Sequence, residues 1–514
     1  MNLRIFPNGT SRLAERGADV SSIRDRRTRP GVALAIMLGA QLMIILDATV
    51  VNIALPHIQT GLHFSATSLS WVMNGYTLTF GGLLLLGGRA GDILGRRRMF
   101  LAGIAIFTIA SLAGGLATSA GLLLAARAVQ GVGGALASPA VLALVVSGFP
   151  EGKERIRALA IYSAVVTGGS SLGLVLGGVI TQWASWRWVL FINVPIGIAV
   201  AILTPMFVTE TPRQPGRFDM PGAVTSTVGV AALVYAFIRA ASDGWGDHIG
   251  IAAFAVAAVL LVSFVFNETR ARQPITPLRL FADLSRSGSF VARLLLVAGM
   301  FGMFFFLTQF LQDVLGFGAL RAGIAFLPMT ALLFAVSRLA PRLIPRVGGY
   351  RLMLIGMVPV VIGMAWLSRV SPETSYWSGV FGPMALLGGG MGLVFVPLTT
   401  TSLAGVRPQD SGAASSMVNV MQQLGGSVGL AVLVAVFGTA TRDSAAHPVA
   451  GLSASAFHTH VLAHGMSTAF GLAAIFDVAA FVVIALLLRP RKSAVPDTPA
   501  ALADEALKAS VLED

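Results

Sequence analysis

The chain has 514 residues, of which 55% are hydrophobic and 11% charged, with a mean hydropathy of +0.79 and no cysteine. So little charge cannot coat a soluble domain of this length, and the missing cysteine excludes disulfides, thiolate metal sites and cysteine nucleophiles. A net charge of +13 would suggest nucleic acid in a soluble chain; here the basic residues sit in short loops between apolar runs, so membrane topology explains them and no nucleic-acid partner is expected.

Residues 1–30 are polar and Arg-rich (RLAERGADVSSIRDRRTRP), carry no apolar stretch that would make a cleavable signal peptide, and read as a cytoplasmic tail. Apolar runs of roughly twenty residues then recur, the length that crosses the hydrocarbon layer. They predict fourteen helical spans near 33–56, 68–88, 97–117, 119–147, 156–181, 187–209, 222–241, 248–268, 287–313, 320–343, 350–369, 376–404, 410–438 and 465–488. Strands are excluded because the runs are long and lack alternation. The fold class is therefore an all-α membrane protein. The outer loop from Thr439 to Gly465, rich in Ala, Ser and His, reads as flexible, and the tail 490–514 as solvated.

With the N-terminus inside, about 29 Lys and Arg fall on the cytoplasmic side and about 5 outside, which fits the positive-inside rule. The seven tryptophans (71, 183, 186, 188, 245, 366, 377) all fall near the outer interface, where amphipathic rings settle. Both tails are then cytoplasmic, in a multi-pass protein of the bacterial inner (plasma) membrane. GRRRMFLAG (Gly95–Gly103), after the second span, resembles GGYRLMLIG (Gly348–Gly356), after the tenth. The repeat predicts two six-helix halves, 31–210 and 287–489, with two inserted helices in 211–268 and a cytoplasmic linker over 269–286.

Asp47 stands inside an otherwise apolar helix, where a charge costs roughly 2.5–3.5 kcal/mol. Proton uptake relieves that cost, the property a proton-coupling carboxylate needs; the alternative is a carboxylate held by neighbouring helices. Arg127 lies at a matching depth, about 12–14 Å from the outer end of its helix, so the two could form either a switching couple or a fixed ion pair. Gly88, Asp92, Gly95, Arg96 and Arg97 form a cytoplasmic loop motif. Its glycines permit a tight turn, and Asp92 could latch onto donors across the interface between halves, or the loop could serve topology alone. Asp477 is a second acid in mid-span, open to a proton, a cationic group or local satisfaction. Asn52, Asn74, Tyr76, Gln309 and Gln422 could line a central cavity, with Phe305 in its apolar wall; core packing is the competing reading for each. All seven histidines fall in predicted outer segments, and the spacing of His458, His460 and His464, without nearby Cys or carboxylate, fits a solvated loop better than a metal site. No phosphate-binding loop, nucleophile elbow or zinc motif occurs, so neither an enzyme nor a cofactor is expected.

Four elements carry a family resemblance: LDATVVNIALP (Leu46–Pro56), GRAGDILGRRR (Gly88–Arg98), RAVQGVGGALASPA (Arg127–Ala140) and WRWVLFINVPIG (Trp186–Gly197). Together they resemble the major facilitator superfamily and, within it, the fourteen-helix drug:proton antiporter group. The resemblance implies a proton-coupled exporter of small amphipathic or cationic molecules, powered by the proton gradient, monomeric and surrounded by lipid, with Asp47 in coupling and the Asp92 loop as a conformational latch. No feature indicates a periplasmic adaptor. The fifth span departs from the group: where Gly-Pro-x-x-Gly-Gly is usual, this chain has Gly173, Leu174, Val175, Leu176, Gly177, Gly178. That departure leaves open a transporter of another substrate or direction, such as a metabolite importer. A non-transporting membrane enzyme or sensor is the third and weakest reading.

Overall fold

The computed structural model describes residues 30–150, 153–211, 213, 218–271, 274, 276, 278–406, 411–448 and 452–489; the predicted tails, apart from Pro30, lie outside them. Backbone polar groups in lipid must find partners within their own segment, and the apolar runs accordingly form helices, with no strand among the described residues. Thirteen of these helices are long and apolar enough to cross a membrane. They are α1 (Pro30–Leu62), α2 (Ser68–Leu94), α3 (Arg96–Gly115), α4 (Ala120–Gly148), α6 (Trp188–Phe207), α7 (Met220–Asp243), α8 (His248–Arg270), α9 (Leu284–Val314), α10 (Ala319–Val347), α11 (Gly349–Leu367), α12 (Tyr376–Leu403), α13 (Ala413–Ala446) and α14 (Ala454–Leu487). Between α4 and α6 runs α5 (Lys153–Trp183), in the place of the fifth predicted span.

Successive helices alternate in direction, so the bundle has an Arg-rich end, where Arg96–Arg98 lie, and a Trp-rich end, where Trp183, Trp188, Trp245, Trp366 and Trp377 are exposed. Packing follows one order twice. In α1–α6, α4 packs on α2 and α3, while α1 packs on α5, α6 and α4. In α9–α14, α12 packs on α10 and α11, while α9 packs on α13, α14 and α12. The hairpin α7–α8 sits outside this scheme. Its α7 packs on α2 and α13, while α8 turns an exposed row of Val259, Val262 and Phe266 away from the bundle.

Charged caps fix the hairpin at both ends. Asp219 accepts from Gly222 N–H (2.9 Å) and from Asn267 Nδ2 (3.0 Å). At the Trp-rich end Asp247 accepts from Gly250 N–H (2.7 Å) and from Arg239 (2.9 and 3.0 Å). Its hydrogen bonds from Arg239 hold the Asp247 carboxyl below the usual carboxylate range.

One expectation is corrected. The segment 439–465 is mostly helix: α13 continues to Ala446, and α14 begins at Ala454, well before the predicted start at 465. Alanine is the best helix former, and Ser453 caps the new start by accepting from Ala456 N–H (3.2 Å). Gly465 packs against Phe437 and Thr441 of α13, so the first turns of α14 rise past its neighbour.

The bundle core depends on close backbone approach. Gly103 of α3 faces Gly133 of α4; a Cβ on Gly133 would lie 2.6 Å from the Phe107 nitrogen, and one on Gly103 2.6 Å from the Gly133 oxygen. Gly133→Ala should therefore force the helices apart and cost about 1–3 kcal/mol, read as a lower thermal midpoint in detergent. Gly121→Ala, where an added Cβ meets nothing within 4 Å, should leave the midpoint unchanged or raise it.

Candidate functional site

Asp47 lies midway along α1 and Arg127 near the start of α4, and helices running in opposite directions bring them to one level. Arg127 Nη1 donates to Asp47 Oδ2 at 2.5 Å, and both side chains are 0% exposed. The other carboxylate oxygen, Oδ1, accepts from Gln130 Nε2 (3.0 Å) and Asn193 Nδ2 (2.9 Å). A further layer holds these donors. Gln130 Nε2 also donates to Ser111 Oγ (2.7 Å), whose own proton goes to the Phe107 carbonyl (2.7 Å). Arg127 is oriented by its Nη1 contact to Gln130 Oε1 (2.9 Å), by its Nε donation to the Val72 carbonyl (3.1 Å), and by Tyr76, whose ring centroid lies 4.6 Å from its guanidinium carbon.

Helices α1, α3, α4 and α6 thus each contribute a polar side chain to one dry cluster. Pairing and hydrogen bonding offset the desolvation of both charges. Every partner of the Asp47 oxygens is a donor, which is the pattern a carboxylate requires. A carboxylic acid O–H in the same place would find no acceptor among these contacts.

The remaining predicted residues fall elsewhere. Asp92 accepts from Arg96 Nη2 (3.0 Å) and Nε (3.2 Å) within its own loop, and among the described residues it makes no hydrogen bond or ion pair to α9–α14. Gly95 has φ +111°, open to glycine, and a Cβ there would lie 2.9 Å from the Glu210 carboxylate. Glu210 accepts from the backbone N–H groups of Arg97 (2.9 Å) and Arg98 (3.2 Å), capping the N-terminus of α3, while Arg97 Nη1 donates to the Val208 carbonyl (3.2 Å). Gly88 stands one turn before Asp92, beside Pro139 of α4. Asp477 is 0% exposed with both carboxyl oxygens unpartnered, between α14 and Gly299 of α9.

The expected cavity wall needs correction. Asn52 is buried and donates to the Phe304 carbonyl (3.1 Å) and Thr308 Oγ1 (2.9 Å), tying α1 to α9. Tyr76 belongs to the Arg127 cluster. Phe305 is closed core, 5.1 Å from the Phe306 ring, and Gln309 bonds back to its own helix at the Phe305 carbonyl (3.1 Å). Asn74 is buried with its amide unpartnered, and Gln422 alone of these residues is half-exposed. Aromatic and amide residues pack into cores as readily as they line cavities, and helix rotation decides which. A cavity of ≈530 Å³ lined by Trp366, Arg369, Thr374 and Ser378 lies at the Trp-rich end and includes none of them.

Gln130, Asn193, Ser111 and Glu210 carry no role in the sequence reading. Gln130 was within reach, because it follows Arg127 by three residues and so shares its helix face. Asn193 and Ser111 are uncharged and give no comparable signal.

The chain matches the Major Facilitator Superfamily over residues 37–430. It is 40% identical over 436 residues to the cephamycin export protein of Amycolatopsis lactamdurans, covering 84% of this chain and 90% of that protein. It is 41% identical over 414 residues to the puromycin resistance protein of Streptomyces alboniger, covering 79% and 82%. Among solved structures, an inward-facing bacterial homologue of the human lysosomal transporter Spinster aligns with a TM-score of 0.63 at 18% identity, over 91% of this chain and 99% of that one.

Breaking the pair should cost more than deleting it. Arg127→Met strands a buried carboxylate and should lose about 3–5 kcal/mol of stability. The double variant Asp47→Asn, Arg127→Met should recover most of that loss, and thermal unfolding of the three proteins in one detergent measures both effects.

Proposed function

Because the chain belongs to the major facilitator superfamily, we propose that it exports small amphipathic drugs or antibiotic-like metabolites across the bacterial inner membrane in exchange for protons, by alternating access between the halves 31–210 and 287–489. The repeated packing order of α1–α6 and α9–α14 supports the two halves, and α7–α8 form the insertion. The relatives are named for export and resistance, which favours efflux over import despite the missing proline in α5. The glycines of that segment still pack tightly: a Cβ on Gly177 would lie 3.0 Å from the Val50 Cα of α1, one turn from Asp47.

The carrying observation is the Asp47 cluster, whose carboxylate has three donors and no acceptor. Protonation of Asp47 from outside breaks the pair with Arg127 and favours one packing; release of the proton inside restores it. Asp477 is a second carboxyl in the other half, with no donor at either oxygen. One proton moving down 100 mV and one pH unit releases about 3.7 kcal/mol, enough for a gradient of about 500-fold in a neutral substrate.

The hydrogen bonds from α1 to α9 lie toward the Trp-rich end, while α2 also packs along α13, with Leu85 on the Phe290, Met417 and Val418 cluster nearer the Arg-rich end. Besides Asn52, Gln312 Nε2 donates to the Ile53 carbonyl (2.9 Å), and a Cβ on Gly178 of α5 would lie 2.7 Å from the Ala319 carbonyl of α10. In a protein with its Arg-rich end cytoplasmic, these contacts close the outside. Asp92, whose carboxylate is paired only with Arg96 among the described residues, is then the latch in its released state, and it engages the opposite half when the inside closes.

Two outcomes test this reading. Asp47→Asn should abolish dye transport driven by an imposed pH gradient in proteoliposomes while the purified protein keeps its monodisperse profile; gradient-driven transport at the wild-type rate would remove Asp47 from coupling. In a chain without native cysteine, Asn52→Cys with Thr308→Cys should cross-link on oxidation and stop transport, and reductant should restore it.

A further inference from the structure

A second buried cation stands apart from the Asp47 cluster. Arg293 lies on α9, about 14 Å in from the helix start at the Arg-rich end, and is 4% exposed. Of the five N–H donors of a guanidinium, one is used: Nη2 donates to Thr399 Oγ1 of α12 at 2.5 Å, while Nε is buried without a partner. The Thr399 proton is itself committed to the Phe395 carbonyl (2.8 Å), so this hydroxyl acts on Arg293 purely as an acceptor. The Phe395 ring lies 5.6 Å from the guanidinium carbon. Arg293 takes part in no ion pair among the described residues.

The neighbouring arginine shows what a structural role looks like in this seam. Arg286, two turns nearer the Arg-rich end, donates to the Ala404 carbonyl (2.9 Å) and so closes the C-terminus of α12, next to a Ser289–Ser402 contact of 2.8 Å. Two carbonyls, of Leu280 (3.5 Å) and Ala404, serve the Arg286 guanidinium, although its Nε is unpartnered like that of Arg293. Arg293 has a charge at membrane depth and one neutral acceptor, an unfavourable balance. Its two α12 contacts, Phe395 and Thr399, are half-buried and Thr400 beside them is exposed, so the guanidinium lies one side chain behind an open surface between α9 and α12.

We propose that Arg293 is the receiving group for an oxyanion, carboxylate or phosphate, on an amphipathic molecule entering from the Arg-rich end. The planar fork, held by Thr399, keeps its unused N–H groups for a bidentate contact, and Phe395 borders the apolar part of the guest. The reading deepens the export proposal and rests on it for the direction of entry. It widens the cargo to molecules bearing a negative group. A membrane phospholipid offers the same chemistry through its phosphate, and the two sources separate experimentally.

The test is binding, which needs neither a gradient nor turnover, so a failure here is distinct from a failure of the transport reading. Rhodamine B and its ethyl ester differ in one carboxylate, and their binding to purified protein is read by fluorescence polarisation. Arg293→Gln should weaken rhodamine B by about tenfold or more and leave the ester unchanged, with Arg293→Lys between the two. In a parallel arm, thermal midpoints are compared in nanodiscs of phosphatidylcholine with and without phosphatidylglycerol. A phosphatidylglycerol-dependent stabilisation lost in Arg293→Gln, with the two dyes affected alike, would assign the oxyanion to lipid. A folded Arg293→Gln or Arg293→Lys protein that changes neither the dye discrimination nor the lipid effect would overturn the site.

Discussion

A carboxylate and a guanidinium 2.5 Å apart, both sealed from solvent, constrain everything around them. Neither charge is tolerable alone in a low-dielectric interior, and together they are tolerable only while the geometry holds. Helices α1 and α4 must therefore keep their relative level, and α3 and α6 must bring Ser111 and Asn193 to the same spot. Close backbone approach between α3 and α4, at Gly103 and Gly133, makes that possible. The apolar body of the protein supplies the penalty for separating the charges.

The two halves divide this chemistry unequally. In α1–α6 the charges of Asp47 and Arg127 meet. In α9–α14 a buried arginine, Arg293, and a buried aspartate, Asp477, sit on adjoining helices with no ion pair to each other or to any other described residue. The repeat thus preserves helix packing and not side-chain chemistry. Packing rests on small residues and apolar volume, which two distant copies can share, while the charges are free to specialise.

Much of the fold could be read from residues alone, because span length and the placement of Lys, Arg and Trp answer directly to the bilayer. The ends of α13 and α14 could not, since hydropathy reports the membrane and not where an Ala-rich helix stops. Within the site, Asp47 and Arg127 stood out as charges in apolar runs, and equal depth along antiparallel helices suggested their contact. Asn193 and Ser111 did not, because an uncharged polar residue in a helix gains meaning only from the face it presents. Phe305 and Gln309 misled for the same reason: composition suggested a cavity wall, and rotation turned them into the core. Arg293 carried the same sequence signal as Asp47 and needed the structure to reveal its lack of a carboxylate partner.

The early start of α14 has a consequence for imaging. Two halves packed in the same order give a small membrane protein a pseudo-symmetric outline, and inside a detergent disc such particles are easily aligned half a turn out of register. The first ten residues of α14 rise about 15 Å past the level where it meets Thr441. Its first turns, from Ala454, stand roughly 9 Å beyond the end of α13 at Ala446, on one side of the Trp-rich end. That uneven profile is an internal landmark that tells the two halves apart.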